Sequence, residues 1–176
     1  MPLAVTHVIL TVILVDLFRD YFLKKRHHKY LTLHTLLIAG IGGLLPDIDI
    51  VLRMIGQSMG FVITDLLQHG GITHTPFFAL FFLIPGLILW KQKKHKVAVY
   101  FYVITFGILF HTFLDYFLGG GNHQGVMWLF PFTTYTWKLH LLNNLALDSV
   151  PQALDALILL GWLWHEEIKH KIKDFI

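Results

Sequence analysis

Three short stretches carry the residue types that metal and acid–base chemistry use: "PDID" (Pro46 to Asp49), "HGGITHT" (His69 to Thr75) and "HTFLD" (His111 to Asp115). His111 and Asp115 are four apart, so on a helix they project from one face, one turn apart. That spacing suits two ligands of a single metal ion, or a carboxylate bridging two; the bland alternative is a His–Asp hydrogen bond between helices. Ionisable groups inside an apolar segment are costly and usually functional, which favours ligation. Asp47 and Asp49 follow Pro46, which is expected to end the helical pattern and let both carboxylates point into a cleft. Two nearby carboxylates repel unless a cation or a proton neutralises one; a solvated Asp-rich turn is the alternative. His69 and His74 flank Gly70 and Gly71, where the backbone can turn sharply or approach a ligand closely. Thr73 or Thr75 is placed to cap the helix that Pro76 begins. His7, in "VTH", reads by itself as a hydrogen-bonded structural histidine.

The background of these residues is apolar. Of 176 residues 55% are hydrophobic and 14% charged, with a mean hydropathy of +0.61, against about 25% charged in an ordinary soluble domain. That balance excludes a soluble globular protein and a disordered chain, and points to a polytopic membrane protein. With no cysteine, any metal site must be built from His and carboxylates, and a thiol nucleophile is excluded.

Five apolar runs are expected to be membrane helices: Leu3–Leu23, Tyr30–Leu45, Thr75–Trp90, Val97–Leu118 and Val150–Trp164. The first has no cleavage-site pattern after it and reads as a retained helix. Ile48–Leu67 is interrupted by Arg53, Gln57, Ser58, Gly60 and Asp65 and reads as an interfacial or re-entrant segment. The expected fold is therefore an all-α membrane bundle of about five spans, a single domain over residues 1–176, with an interfacial segment after the second span. Twelve of the fourteen Lys and Arg residues are Arg19 and the clusters at 24–29, 91–96 and 169–173, all at alternate ends of these runs. The positive-inside rule then places the N-terminus outside and the C-terminus in the cytoplasm, with anionic lipid as partner of the basic clusters. Arg53 and Lys138 alone fall on the outer side. On this map His7, "PDID", His69, His74, His111 and Asp115 all gather at the outer membrane boundary.

The remaining histidines are read plainly. His27, His28, His95, His165 and His170 lie in or beside basic clusters and are expected to be solvated or to face anionic lipid. His34 and Asp16 are expected to pair near the inner end, with a proton relay as the alternative. Asn122 and His123, in "GGGNHQG", fall outside near the cluster as candidate substrate contacts. Trp128 and Trp137 fit an interfacial aromatic belt.

"THVIL", "GGLLPDIDI", "HGGITHT" and "FHTFLDYF" followed by "GVMWLFPF" resemble, in order and over His7 to Pro131, the LexA-binding, inner-membrane-associated putative metal-dependent hydrolases, a family remotely similar to zinc-dependent phospholipase C. The resemblance implies metal roles for His7, Asp47, Asp49, His69, His74, His111 and Asp115, with Asp47, Asp49 and His74 as candidates for acid–base work. The family commonly carries an arginine directly after the first histidine of the "HGGITHT" motif, where this chain has Gly70. A phosphate-gripping role would then pass to Arg53 or Lys138. Seven ligands exceed what one tetrahedral zinc uses, so two or three zinc ions are expected, with manganese or iron as alternatives. The functional expectation is an inner-membrane hydrolase cleaving a phosphoester of a lipid or amphiphile, with no nucleic-acid partner. A non-enzymatic membrane adaptor and an ion or proton transporter are the rival readings; transport is disfavoured because its groups should straddle the midplane rather than gather at one end.

Overall fold

The computed structural model describes residues 4–23, 30–60, 69–118, 125–139, 141 and 150–170. Helix α1 (Ala4–Leu17) runs on into a π-helical turn, Phe18–Phe22. Helix α2 (Leu33–Leu44) starts at Thr32, where Thr32 and Thr35 cap one another and Thr35 Oγ1 donates to the Tyr30 carbonyl at 2.9 Å, satisfying backbone groups that a helix start leaves open. A 3-10 turn, Leu45–Asp47, links α2 to α3 (Ile48–Ser58). Helix α4 (Pro76–Lys91) has Pro76 in its first turn and Thr75 as cap, its hydroxyl accepting from Phe78 N at 3.1 Å. Helices α5 (His95–Leu118) and α6 (Val150–His170) complete the described elements.

Every expected apolar run is helical, but the second does not stop where the proline predicts. Pro46 sits within the first positions of the 3-10 turn, where its missing N–H costs no hydrogen bond. The helical path therefore continues from Leu33 to Ser58, joining the expected second span to the expected interfacial segment. That 26-residue stretch and His95–Leu118 are the two described helices long and apolar enough to cross a bilayer, and Pro76–Lys91 is a shorter apolar helix. The α-helical bundle is thus seen, while two spans rather than five meet the length and hydropathy that spanning requires.

Helices α1, α2 and α5 form the centre. Their closest approach is between α2 and α5, where a Cβ on Gly42 would lie 2.7 Å from the Ile104 backbone and one on Gly107 would lie 2.5 Å from Gly42 and Gly43 backbone atoms. Two helices this near are held by backbone-scale van der Waals packing, the mode that small residues permit inside a membrane. Val15, Leu31, Leu36, Ala39 and Val103 form the apolar core beside this contact. Outward-facing Leu37, Ile41, Leu80, Phe81, Ile84 and Phe113 are exposed, as a lipid-facing surface requires.

Helix α6 lies along α1 through polar ties. Thr6 Oγ1 donates to buried Asp155 at 3.0 Å, and Trp162 Nε1 donates to Asp16 at 3.2 Å. Asp16 also holds Arg19 at 2.6 Å, so the expected His34–Asp16 pair does not form: Asp16 is taken by α1 and α6, and His34 is exposed at the edge of an apolar cavity between Val12, Leu36 and Leu159. Nor is His95 simply solvated, since its ring packs edge-on against Trp90 at 4.4 Å.

Candidate metal centre

The α2–α5 contact fixes the distance between "PDID" and "HTFLD". Gly107 lies one helical turn before His111, and Gly42 and Gly43 lie one turn before Asp47, so the backbone contact carries both motifs to the same depth. His7 reaches the same place from the first turn of α1, and its ring stacks on that of His111 with centroids 3.8 Å apart. The 3-10 turn Ile72–His74 brings in His74 from the segment ahead of α4. His7, Asp49, His74, His111 and Asp115 are all buried, and Asp47 and His69 are half-buried.

His111 shows how the site is poised. Its Nδ1 lies 2.7 Å from the Gly43 carbonyl oxygen, which can only accept, so Nδ1 carries the proton and Nε2 of the neutral ring presents a lone pair. That lone pair faces Asp115 Oδ2 at 3.2 Å, His74 Nε2 at 3.2 Å and Asp47 Oδ1 at 3.6 Å. His74 Nε2 lies 3.3 Å from Asp115 Oδ2 and 3.8 Å from Asp47 Oδ1. Its Nδ1 is met by Thr73 Oγ1 at 3.1 Å and Asp49 Oδ2 at 3.5 Å, partners that favour the proton on Nδ1 and leave Nε2 pointing inward. Five of the six separations among these four atoms thus run from 3.2 to 3.8 Å, where a tetrahedral zinc site with bonds of about 2.0–2.1 Å has edges of about 3.3–3.4 Å. Four electron-rich atoms facing one another repel unless a positive charge lies among them.

The remaining ligand types flank this quartet. His7 Nε2 lies 3.3 Å from Asp115 Oδ1, on the far side of that carboxylate, and His69 Nδ1 lies 3.2 Å from Asp49 Oδ1 and 3.8 Å from Asp47 Oδ1. Two separate sets, His7–His111–Asp115 and Asp47–His69–His74, each offer ligand atoms within 4.8 Å of one another. His7 Nδ1, Asp49 Oδ2 and Asp115 Oδ1 are buried without a hydrogen bond among the described residues, an expensive arrangement in a water-poor interior. Burial by itself lowers the His74 pKa, but hydrogen bonds to Asp115 and Asp47 outweigh it and raise it to about 9; a proton on His74 Nε2 and a divalent cation are thus alternative sources of the positive charge that the carboxylates call for. The donor set therefore fits divalent cations, with the Gly43 carbonyl and Thr73 orienting the imidazoles as outer-shell partners do.

All seven expected ligands converge, and the expected substrate contacts separate. Arg53 is exposed one turn beyond Asp49 on α3, and among the described residues no hydrogen bond or ion pair ties it to the seven. Lys138 is exposed but tethered: Trp137 pairs with Val126 in an antiparallel bridge, and Leu139 N donates to the Tyr116 carbonyl at 3.1 Å, directly after Asp115. Asn122 and His123 lie outside the described residues. Gly70 has φ +87°, and a Cβ there would meet the Gly125 carbonyl at 2.6 Å; the backbone that carries His69 has no room for the arginine that the resemblance leads one to expect at this position. Of the orienting groups, Gly43 was not marked by sequence reading and Thr73 only as a candidate helix cap; their signal as orienting groups is their position, one turn before Asp47 and directly before His74.

A second, smaller group was also missed. Asp20, His165 and Glu166 bring ligand-type atoms within 4.8 Å of one another, around the Arg19 guanidinium, which bonds Asp20 at 3.0 Å. His165 was expected to be solvated, yet it lies half-buried, with its Nε2 3.9 Å from Asp20.

No curated protein and no solved structure matches the chain. The family model described as YdjM inner membrane protein matches residues 1–169, and the chain belongs to that family.

Proposed function

We propose that this member of the YdjM inner membrane protein family is a metal-dependent hydrolase that cleaves a phosphoester of a lipid or amphiphilic substrate at the extracytoplasmic boundary of the inner membrane. The observation that carries the reading is the His111 lone pair, fixed by the Gly43 carbonyl and aimed at Asp47, Asp115 and His74 with near-tetrahedral spacing. Two or three divalent ions, zinc first and manganese or iron as alternatives, would supply Lewis acidity toward a phosphoryl oxygen and a bound water when held there. His74, His111, Asp47 and Asp115 would hold the central ion, and His7 and the His69–Asp49 pair would hold its neighbours.

The residues divide the remaining work by geometry. Asp115 splits its two oxygens between His7 and the His74–His111 pair, a disposition suited to bridging. Asp49 orients both His69 and His74, so its carboxylate is the general base best connected to the cluster, with Asp47 and His74 as the other acid–base candidates. Lys138, held beside the end of α5, is the basic group best placed to meet a substrate phosphate once Gly70 excludes an arginine. Arg53, on an exposed apolar helix, suits a lipid headgroup further from the reacting bond.

Metal analysis of the gently purified protein tests the first claim: at least one zinc, manganese or iron per chain is expected, and less than that sinks the proposal. Turnover on phosphodiester, phosphomonoester and acyl-ester lipids then tests the second. Activity confined to one phosphoester class and lost in both His111→Ala and Asp47→Ala supports it, whereas activity surviving in both variants would place the chemistry elsewhere.

A further inference from the structure

We propose that the apolar groove at the end of the bundle opposite the His/Asp cluster binds one anionic diacyl phospholipid, an acyl chain in the groove and the phosphate against the lysines of the α4–α5 turn. The cavity measures about 790 Å³ and its walls come from four places: Leu14 and Phe18 of α1 and the turn after it, Tyr30 and Leu31 ahead of α2, Trp90 of α4, and Val99 to Phe106 of α5. That volume lies within the range of about 300–1,000 Å³ typical of sites for single small ligands, and among the described residues the walls carry no charged group.

What occupies the groove is indicated by its mouth. Lys91, Lys93, Lys94 and Lys96 follow the wall residue Trp90 directly; all four are exposed, and residues 91–96 contain no acid. They are presented by a fixed turn rather than a loose one, since Lys93 N donates to the Trp90 carbonyl and Lys94 N to the Leu89 carbonyl, each at 3.0 Å. The His95 ring, 4.4 Å from Trp90 and 6.3 Å from Tyr30, packs between two wall aromatics and ties the turn to the groove. An oily slot whose wall residue Trp90 runs directly into a turn of four exposed lysines is complementary to a molecule with a long apolar tail and an anionic head. A bilayer supplies one at high local concentration. The inference rests on membership of a membrane family and not on the hydrolase reading.

Native mass spectrometry of the full chain released from detergent, with phosphatidylglycerol and phosphatidylcholine of identical chains as probes, tests it. One phosphatidylglycerol should stay bound at least tenfold more than phosphatidylcholine. Leu14→Trp and Val99→Trp, which fill the groove from opposite walls, should each lower retention of both lipids tenfold or more, with an unchanged elution volume showing that the variant folds. Lys93→Gln combined with Lys94→Gln should abolish the preference while keeping the basal binding. Equal retention of the two lipids by the parent protein, or undiminished retention in whichever groove-filling variant folds, would overturn the assignment.

Discussion

At the residue scale, function turns on which way each imidazole carries its proton. His111 is decided by a carbonyl that cannot donate, whereas His7, with Nδ1 unbonded among the described residues, is oriented only by Asp115 and by stacking on His111. Removing His111 should therefore cost more than removing His7. His111→Ala is expected to lose most of the bound metal and at least about 100-fold in turnover, the upper end of outer-shell effects being about that size, while His7→Ala retains one metal per chain; metal content and initial rates on the same preparations check both. Gly70 makes a second, sharper case. Restoring the arginine common in the resembling family, Gly70→Arg, puts a side chain at φ +87° and its Cβ 2.6 Å from the Gly125 carbonyl. A strained backbone conformation of this kind costs about 1–3 kcal/mol. The variant should melt several degrees lower and gain no phosphate affinity, whereas Lys138→Ala should raise KM. A Gly70→Arg protein as stable as the parent would mean that the 125–139 segment moves readily aside.

At the element scale, what the sequence made legible and what it hid can be separated by cause. The seven ligands could be gathered because the charge clusters order the helix ends and His, Asp and Gly motifs fall at one side of that order. The continuity of α2 into α3 was hidden because a proline in a first turn and a proline that breaks a helix look alike in sequence; only the 3-10 geometry at Leu45–Asp47 distinguishes them. The α2–α5 backbone contact was equally invisible, since nothing in "GIGG" and "FGIL" pairs the two stretches until Gly42 and Gly107 are seen facing each other. Gly107→Val should drive those helices apart, and because the same contact sets the spacing of Asp47 and His111, stability and metal content should fall together; overpacking by this many atoms typically costs about 1–3 kcal/mol or more. A loss of stability at full metal content would break that coupling. The α1–α6 tie supplies a pH test. Burial and a hydrogen bond to Asp16 raise Glu166 to about 7, with Arg19, Asp20 and His165 as its other charged neighbours. A raised folded-state pKa contributes stability that is present at low pH and disappears as pH climbs from the ordinary carboxylate value through about 7. Docking of α6 on α1, followed through Trp162 fluorescence, should thus be tighter at pH 5 than at pH 8, and Glu166→Gln should flatten the profile.

At the scale of the whole molecule, sidedness joins the two ends of the bundle into one functional statement. Helix α4 runs from Pro76, next to His74, to Lys91, and α5 returns from His95 to His111 and Asp115, so the metal-ligand cluster and the lysine turn necessarily lie at opposite ends of a helical hairpin 16 and 24 residues long. If that hairpin crosses the bilayer, the distribution of Lys and Arg orients it, because among the described residues Arg19, Lys91, Lys93, Lys94, Lys96 and Lys169 all lie at the ends remote from the cluster. The substrate phosphate would then be met outside the cytoplasm and an anionic inner-leaflet lipid at the other end, two separate lipid encounters on one small protein. The absence of cysteine from the chain allows a clean test. Ser58→Cys marks the exposed end of α3 on the cluster side, and Lys93→Cys marks the exposed α4–α5 turn. In intact cells or right-side-out vesicles a membrane-impermeant maleimide should label Ser58→Cys and spare Lys93→Cys, and opening the membrane should expose the second. The reverse pattern would turn the protein over and move the proposed hydrolysis to the cytoplasmic leaflet, while labelling of both positions from outside would show that α4 and α5 do not cross the bilayer, and the separation of metal and lipid sites across it would fall with them.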